Sequence, residues 1–176
     1  MIVAMTEHMA RHGYGATRVA DIVEGAGVSR ESFYAQFASK EACFMAAYDD
    51  AVAWTLTRSV EQVATRESSP ARRFAAGLRA FLETVGAAPD AARLFLIEVY
   101  AVGPKATARR AAAQQEFTEL VVRELACETD AERFAAEALV AAVGAMVTTR
   151  LAAGEADTIP ALYEPVLALA QRLLPL

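Results

Sequence analysis

TRVADIVEGAGVSRESFYAQFASK, residues 17–40, spells two short helices joined by a tight turn, then the start of a third. Val19, Ile22, Val23 and Ala26 fall at i, i+3, i+4 and i+7, which is one apolar face of an α-helix. Gly27 is placed to end that helix, because glycine tolerates the positive φ of a helix C-terminus. Val28 is expected to plug the turn into the core. Ser29 then caps a second helix with Phe33 and Phe37 on one face and Arg30, Glu31, Tyr34 and Gln36 outside it. Two helices of this length around a glycine turn make a helix-turn-helix, whose second helix enters the DNA major groove.

Such patterns arise by chance, so the flanking residues carry weight. Three expected helix starts pair a hydroxyl cap with a cation: Thr17-Arg18, Ser29-Arg30 and Ser39-Lys40. A cation in the first turn opposes the helix dipole by roughly 0.3–1 kcal/mol. Solvation alone accounts for any one of them. Three within 24 residues point to an anion at these termini, since free N–H groups beside a cation form an anion site.

The stretch GYGATRVADIVEGAGVSRESFYAQFASKEACF resembles the DNA-binding domain of the TetR family of bacterial transcriptional regulators. The similarity covers the first ~48 residues, and its motif is specific. It implies a three-helix DNA-binding domain at 1–48 and a helical ligand-binding and dimerisation domain at 49–176. It also implies that Thr17, Tyr34 and Lys40 hold phosphates, with Arg18 beside them, and that Arg30, Glu31, Ser32 and Gln36 form the reading face. Arg30 has the geometry to pair with guanine and Glu31 to accept from cytosine. Glu31 has two plainer roles open to it, orienting Arg30 or favouring the helix N-terminus. The family resemblance further implies a basic arm before the first helix, and here that helix is expected to begin almost at Met1.

The remainder reads as α throughout. The opening helix, about residues 2–11, carries Ile2, Met5 and Met9 on one stripe, and Gly13-Tyr14-Gly15 is a turn. The helix capped by Ser39 is expected to reach about Ala64, with a break at residues 66–70 and Pro70 at the first position of the next. Helices follow at about 90–100, 105–127, 130–153 and 159–174, punctuated by Gly86, Gly103-Pro104 and Gly154. No strand-like alternation and no internal repeat interrupts them. The fold class is therefore all-α.

The 176 residues are 55% hydrophobic and 22% charged, a globular composition able to bury a substantial core. No 18-residue apolar run lacks charge and no basic n-region precedes one, so no membrane partner is expected, and a cytoplasmic location is. Cys43 and Cys127 stand alone and read as small hydrophobes. His8 and His12 lie at i, i+4 but lack a third ligand, so no metal and no cofactor is expected. The net charge is −5, and residues 1–48 set Arg11, Arg18, Arg30 and Lys40 against Glu7, Asp21, Glu24, Glu31 and Glu41. DNA affinity must then come from the placement of a few cations and not from a bulk field.

The function expected is a ligand-responsive transcriptional regulator, a repressor, that binds a pseudo-palindromic double-stranded DNA operator as a homodimer and is released by a small molecule. The alternative is a helical interaction or small-molecule-binding protein that has lost DNA binding. An enzyme is not expected, for want of a nucleophile–base pair, a phosphate loop or a di-metal motif. Trp54, Phe81, Phe95, Tyr100, Phe117 and Met146 are the candidate lining for the effector. Few charges fall inside the apolar faces, so an apolar effector is expected. The dimer is expected to pair through the last two helices, with a small-residue groove of Ala135, Ala138, Ala142 and Ala145 meeting a ridge of Leu162, Val166, Leu169 and Leu173.

Overall fold

The computed structural model describes residues 1–61 and 69–174, and every described secondary element is helical. In chain order the helices are α1 (Ile2–Ala16), α2 (Val19–Ala26), α3 (Arg30–Gln36), α4 (Lys40–Glu61), α5 (Pro70–Ala87) and α6 (Pro89–Arg93). A π-helical turn (Leu94–Glu98) leads into α7 (Val99–Val102), followed by α8 (Pro104–Glu124) and α9 (Asp130–Ala153). A 3₁₀ segment (Ala156–Leu162) precedes α10 (Tyr163–Leu173). The expected helix end near Ala64 and the break at residues 66–68 lie outside the described residues. Pro70 does open α5, where its missing N–H costs nothing.

The chain forms two compact units, Met1–Ala53 with Ala88–Arg110, and Trp54–Ala87 with Ala111–Leu176. In the first, Met5 and Met9 of α1, Ile22 of α2, Phe33 of α3 and Phe44 of α4 are all fully buried. Residues 88–110 join this core. Phe95 packs at 6.3 Å from Phe44 and edge-on at 5.4 Å from Tyr48, centroid to centroid. The π turn has a packing reason. Leu94 and Val99 are both fully buried although five apart, and a regular α-helix would place them about 140° apart. Widening one turn keeps both inside.

In the second unit α5 buries Phe74, Leu78, Leu82 and Val85 at helical spacing. α9 presents Ala136, Leu139, Val143, Val147 and Leu151 to the same core. Thr129 and Glu132 form a reciprocal capping box at the start of α9, and Gly154 ends it at φ 77°. The last expected helix begins with a different geometry. Residues 156–162 wind as 3₁₀ around Pro160, burying Ile159 and Leu162, and the α-helix starts only at Tyr163. Gly86 allows this segment to close on α5, since a Cβ there would meet Pro160 Cδ at 3.3 Å. Arg73 closes the end of α8, donating to the Glu124 carboxylate at 3.0 Å and its carbonyl at 2.9 Å. Cys43 and Cys127 are buried, and burial pushes both thiols above their ordinary pKa.

Candidate nucleic-acid interface

The turn between α2 and α3 forms from local signals. Gly27 sits in the left-handed region (φ 65°, ψ 33°). The Val28 N–H donates to Val23 O at 3.0 Å and the Gly27 N–H to Glu24 O at 3.1 Å. These two bonds close the end of α2 as a Schellman motif. Ser29 caps α3, its hydroxyl accepting from the Ser32 N–H at 3.0 Å and lying 2.9 Å from the Ser32 hydroxyl. Val28 does not plug the core as expected; its side chain is 37% exposed at the turn. Phe33 fills that role from α3, fully buried with its ring 5.7 Å from Phe37.

The outer face of α3 is open. Arg30, Glu31, Ser32, Tyr34 and Gln36 are all exposed, with Tyr34 held edge-on to Phe33 at 5.4 Å. Among the described residues no hydrogen bond or ion pair joins Glu31 to Arg30, so both side chains remain available to a partner. The seven residues of α3 thus present guanidinium, carboxylate, hydroxyl and amide groups on a serine-capped helix.

The other cations are more committed than the sequence suggests. Thr17 does not cap α2, which corrects one expectation. It is fully buried, its hydroxyl donates to Gly13 O at 2.9 Å and lies 3.2 Å from His8 Nδ1, and its N–H donates to Tyr14 O. A residue with no exposed atom has nothing to offer a phosphate, so Thr17 holds the turn in place of touching DNA. The residue before α2 is Arg18, and Asp21 does the capping. The Asp21 carboxylate accepts the Arg18 backbone N–H at 2.7 Å and its guanidinium at 2.8 and 3.2 Å. The guanidinium bond, then the backbone bond, hold the Asp21 carboxyl down to about 2. The dipole opposition expected from Arg18 is thereby offset locally.

Lys40 serves as a clamp. Its Nζ donates to Tyr14 O and Thr17 O, each at 2.7 Å, and sits 3.8 Å from the centre of the Tyr14 ring. Burial lowers its pKa. Two of its three N–H groups are thereby committed. Opposite this clamp lies a group the sequence did not flag. The Glu98 carboxylate, from the π turn, accepts the Tyr14 N–H at 3.2 Å. Gly13 makes the approach possible, at φ 78°, ψ 166°, where a Cβ would come within 3.2 Å of Glu98 Oε2. α1 is therefore broken at Gly13 and continues past residue 11, its expected end, to Ala16. The His8 and His12 rings lie 4.5 Å apart, centroid to centroid, and are tilted by 44°, and among the described residues no cluster of three metal-ligating side chains exists.

The six candidate effector-lining residues divide. Phe95 belongs to the first unit's aromatic core, while Phe81 and Phe117 meet edge-on at 5.5 Å in the second. Met146 is partly buried. Trp54 is 54% and Tyr100 60% exposed, too open to line an enclosed apolar cavity. The residues missed from sequence are Asp21, Tyr14 and Glu98. Only Asp21 left a signal, an acid three positions after the residue preceding a helix.

Residues 2–47 match the family described as bacterial regulatory proteins, tetR family. No curated protein matches the chain by sequence. Among solved structures, FadR from Bacillus subtilis in complex with stearoyl-CoA is similar over 96% of this chain and 94% of its own, at TM-score 0.83 and 17% identity. FadR from Bacillus halodurans is similar over 96% and 91%, at 0.84 and 18%. A TetR-family transcriptional regulator from Bordetella parapertussis 12822 is similar over 96% and 90%, at 0.72 and 25%. The likeness to the two FadR proteins is one of fold.

Proposed function

We propose, from the premise that this chain is a TetR-family transcriptional regulator and not an enzyme, that it represses transcription from a pseudo-palindromic operator bound as a homodimer. A small molecule releases it. The open polar face of α3, seated on a Schellman turn and a serine cap, is the observation that carries this reading. Arg30, Glu31, Ser32 and Gln36 read bases, while Tyr34, Arg18 and the free N–H of Lys40 meet phosphates. We divide the functions at about residue 48, with DNA binding before it and effector binding and dimerisation after it.

The dimer reading draws on α9, which is apolar on two faces. One face is buried in its own unit. The other leaves Phe134 71% exposed, with Ala138, Ala141 and Ala145 beside it along the helix. The 24-residue helix has a mean hydropathy of 1.4 over its most apolar 18 residues, of which only 28% are buried, long and apolar enough by composition to cross a membrane. A helix hydrophobic on both sides wants cover, and the exposed Glu137 within it suits a second copy better than lipid. Leu169 and Leu173 of α10 are 40% and 46% exposed and extend this surface, whereas Leu162 and Val166, expected in the same ridge, are buried within the chain. Two-fold pairing of α9 and α10 gives a four-helix interface.

The effector is an apolar or amphipathic small molecule; the stearoyl-CoA held by the Bacillus subtilis FadR is a model for its class. It must bind one spacing of the reading heads better than the other. Selecting bound fragments from a genomic DNA pool, then screening compounds for release, tests the whole proposal. An absence of any enriched two-fold site refutes it.

A second reading has an observation of its own. Arg18 is paired with Asp21, Lys40 is largely spent on carbonyls, and residues 1–48 carry more acid than base. Phosphate neutralisation is correspondingly thin. A protein of this fold that has lost DNA binding would show no salt-dependent shift of any duplex.

A further inference from the structure

Arg110, in the second turn of α8, stands apart from the other part-buried arginines. Arg73 is paired with Glu124 and Arg109 with Asp49, Arg150 donates to Met146 O, and Arg93 is also engaged. Arg110 has no hydrogen-bond or ion-pair partner among the described residues, and its Nε is fully buried. It lies on the covered side of α8, where Ala106 and Ala113, four before it and three after, are 1% and 3% exposed. Asp49, an acid that reaches this stretch of α8, is paired with Arg109.

A guanidinium cannot escape this situation by losing its proton. A buried N–H with no acceptor is a standing cost, and it is larger when the group is charged. Natural interiors resolve such donors with a protein partner, and where the chain supplies none with water, an ion or a ligand. We propose that Arg110 anchors an anionic group of the effector, a carboxylate or a phosphate, through charge-assisted hydrogen bonds from Nε and a terminal nitrogen. The planar fork of arginine matches either anion in two-point contact. The inference rests on the effector reading above and narrows it. The ligand is amphipathic, with one negative head, and not the uncharged apolar compound expected from sequence.

The test uses the full-length chain and three probes of equal chain length: dodecanoate, dodecanoyl-CoA and dodecanol, measured by calorimetry on the wild type, Arg110→Met and Arg110→Lys. An anionic probe should bind the wild type and lose at least about tenfold in affinity in Arg110→Met. Arg110→Lys should recover part of that loss, and any dodecanol binding should be unchanged. Loss confined to dodecanoate identifies a carboxylate source, and loss confined to dodecanoyl-CoA a phosphate source. Inorganic phosphate, compared with chloride at equal ionic strength, should raise the melting temperature of the wild type more than that of Arg110→Met. Ligand-free Arg110→Met should melt no lower than the wild type, because it removes an unpaired charge. Equal anion responses in wild type and Arg110→Met overturn the proposal, as does a marked loss of ligand-free stability, which would make Arg110 a structural residue. Arg110-dependent anion binding by a protein that no operator retains would leave the site standing and refute the regulator reading, so the two failures are separable.

Discussion

Lys40→Met removes the ammonium and keeps the aliphatic stem, so it isolates the clamp on the turn between α1 and α2. The wild-type Nζ makes two 2.7 Å bonds to Tyr14 O and Thr17 O and sits 3.8 Å from the Tyr14 ring centre. Hydrogen bonds from a charged donor contribute about 1.5–3 kcal/mol each, and a partly exposed cation over an aromatic ring about 0.5–1 kcal/mol more. These do not add in full. Desolvation lowers the Lys40 pKa, which means that burial already offsets part of the gain. The expected loss is about 2–4 kcal/mol, read by urea denaturation under far-UV circular dichroism. The same variant separates clamp from phosphate contact when DNA affinity is followed against salt. A lost phosphate contact lowers the slope of log affinity against log salt by about 1. A lost clamp weakens binding with the slope unchanged. A stability change below about 0.5 kcal/mol would refute the reasoning, because water would then serve the two carbonyls as well as the lysine does.

Gly13→Ala forces a side chain into φ 78°, ψ 166° and against the Glu98 carboxylate; a loss of about 1–3 kcal/mol is expected by thermal or urea melting, and a neutral result would mean the turn relaxes freely. Asp21→Asn tests the pH arithmetic: its folded pKa is depressed from 3.8 to about 2, so its contribution is present above pH 4 and disappears as pH falls through about 2. The variant should flatten stability against pH between those values and change little at pH 1. Arg30→Ala should relax preference at one operator base, at a cost of about 1–3 kcal/mol in a binding-selection profile. Leu169→Glu with Ala142→Arg should place unpaired charge in the proposed dimer face, giving a folded monomer by sedimentation with much weaker operator binding; a wild type that sediments as a monomer at micromolar concentration would refute the interface.

Local chemistry made much of this protein legible in its residue order. Gly27 ends α2 in the left-handed region, Ser29 caps α3, Phe33 fills the core, and α9 begins at Asp130 and stops at Gly154, all as their neighbours in sequence demand. These features depend on groups within about one helical turn, where spacing alone decides which side chain meets which backbone group. Thr17 shows where that logic fails. A hydroxyl between two helices can serve either one, and here it serves Gly13 O behind it while Asp21 accepts the Arg18 N–H at the start of α2. The role of Lys40 needed partners 23 and 26 residues away, and that of Glu98 a partner 84 residues away. No periodicity in the chain encodes these separations. The same holds for Leu162 and Val166, whose apolar spacing fits an inner face or an outer one equally well. Only packing decided that they turn inward while Leu169 and Leu173 stay exposed. Sequence specifies which groups seek burial or a partner, and the folded chain determines which of them are left seeking one.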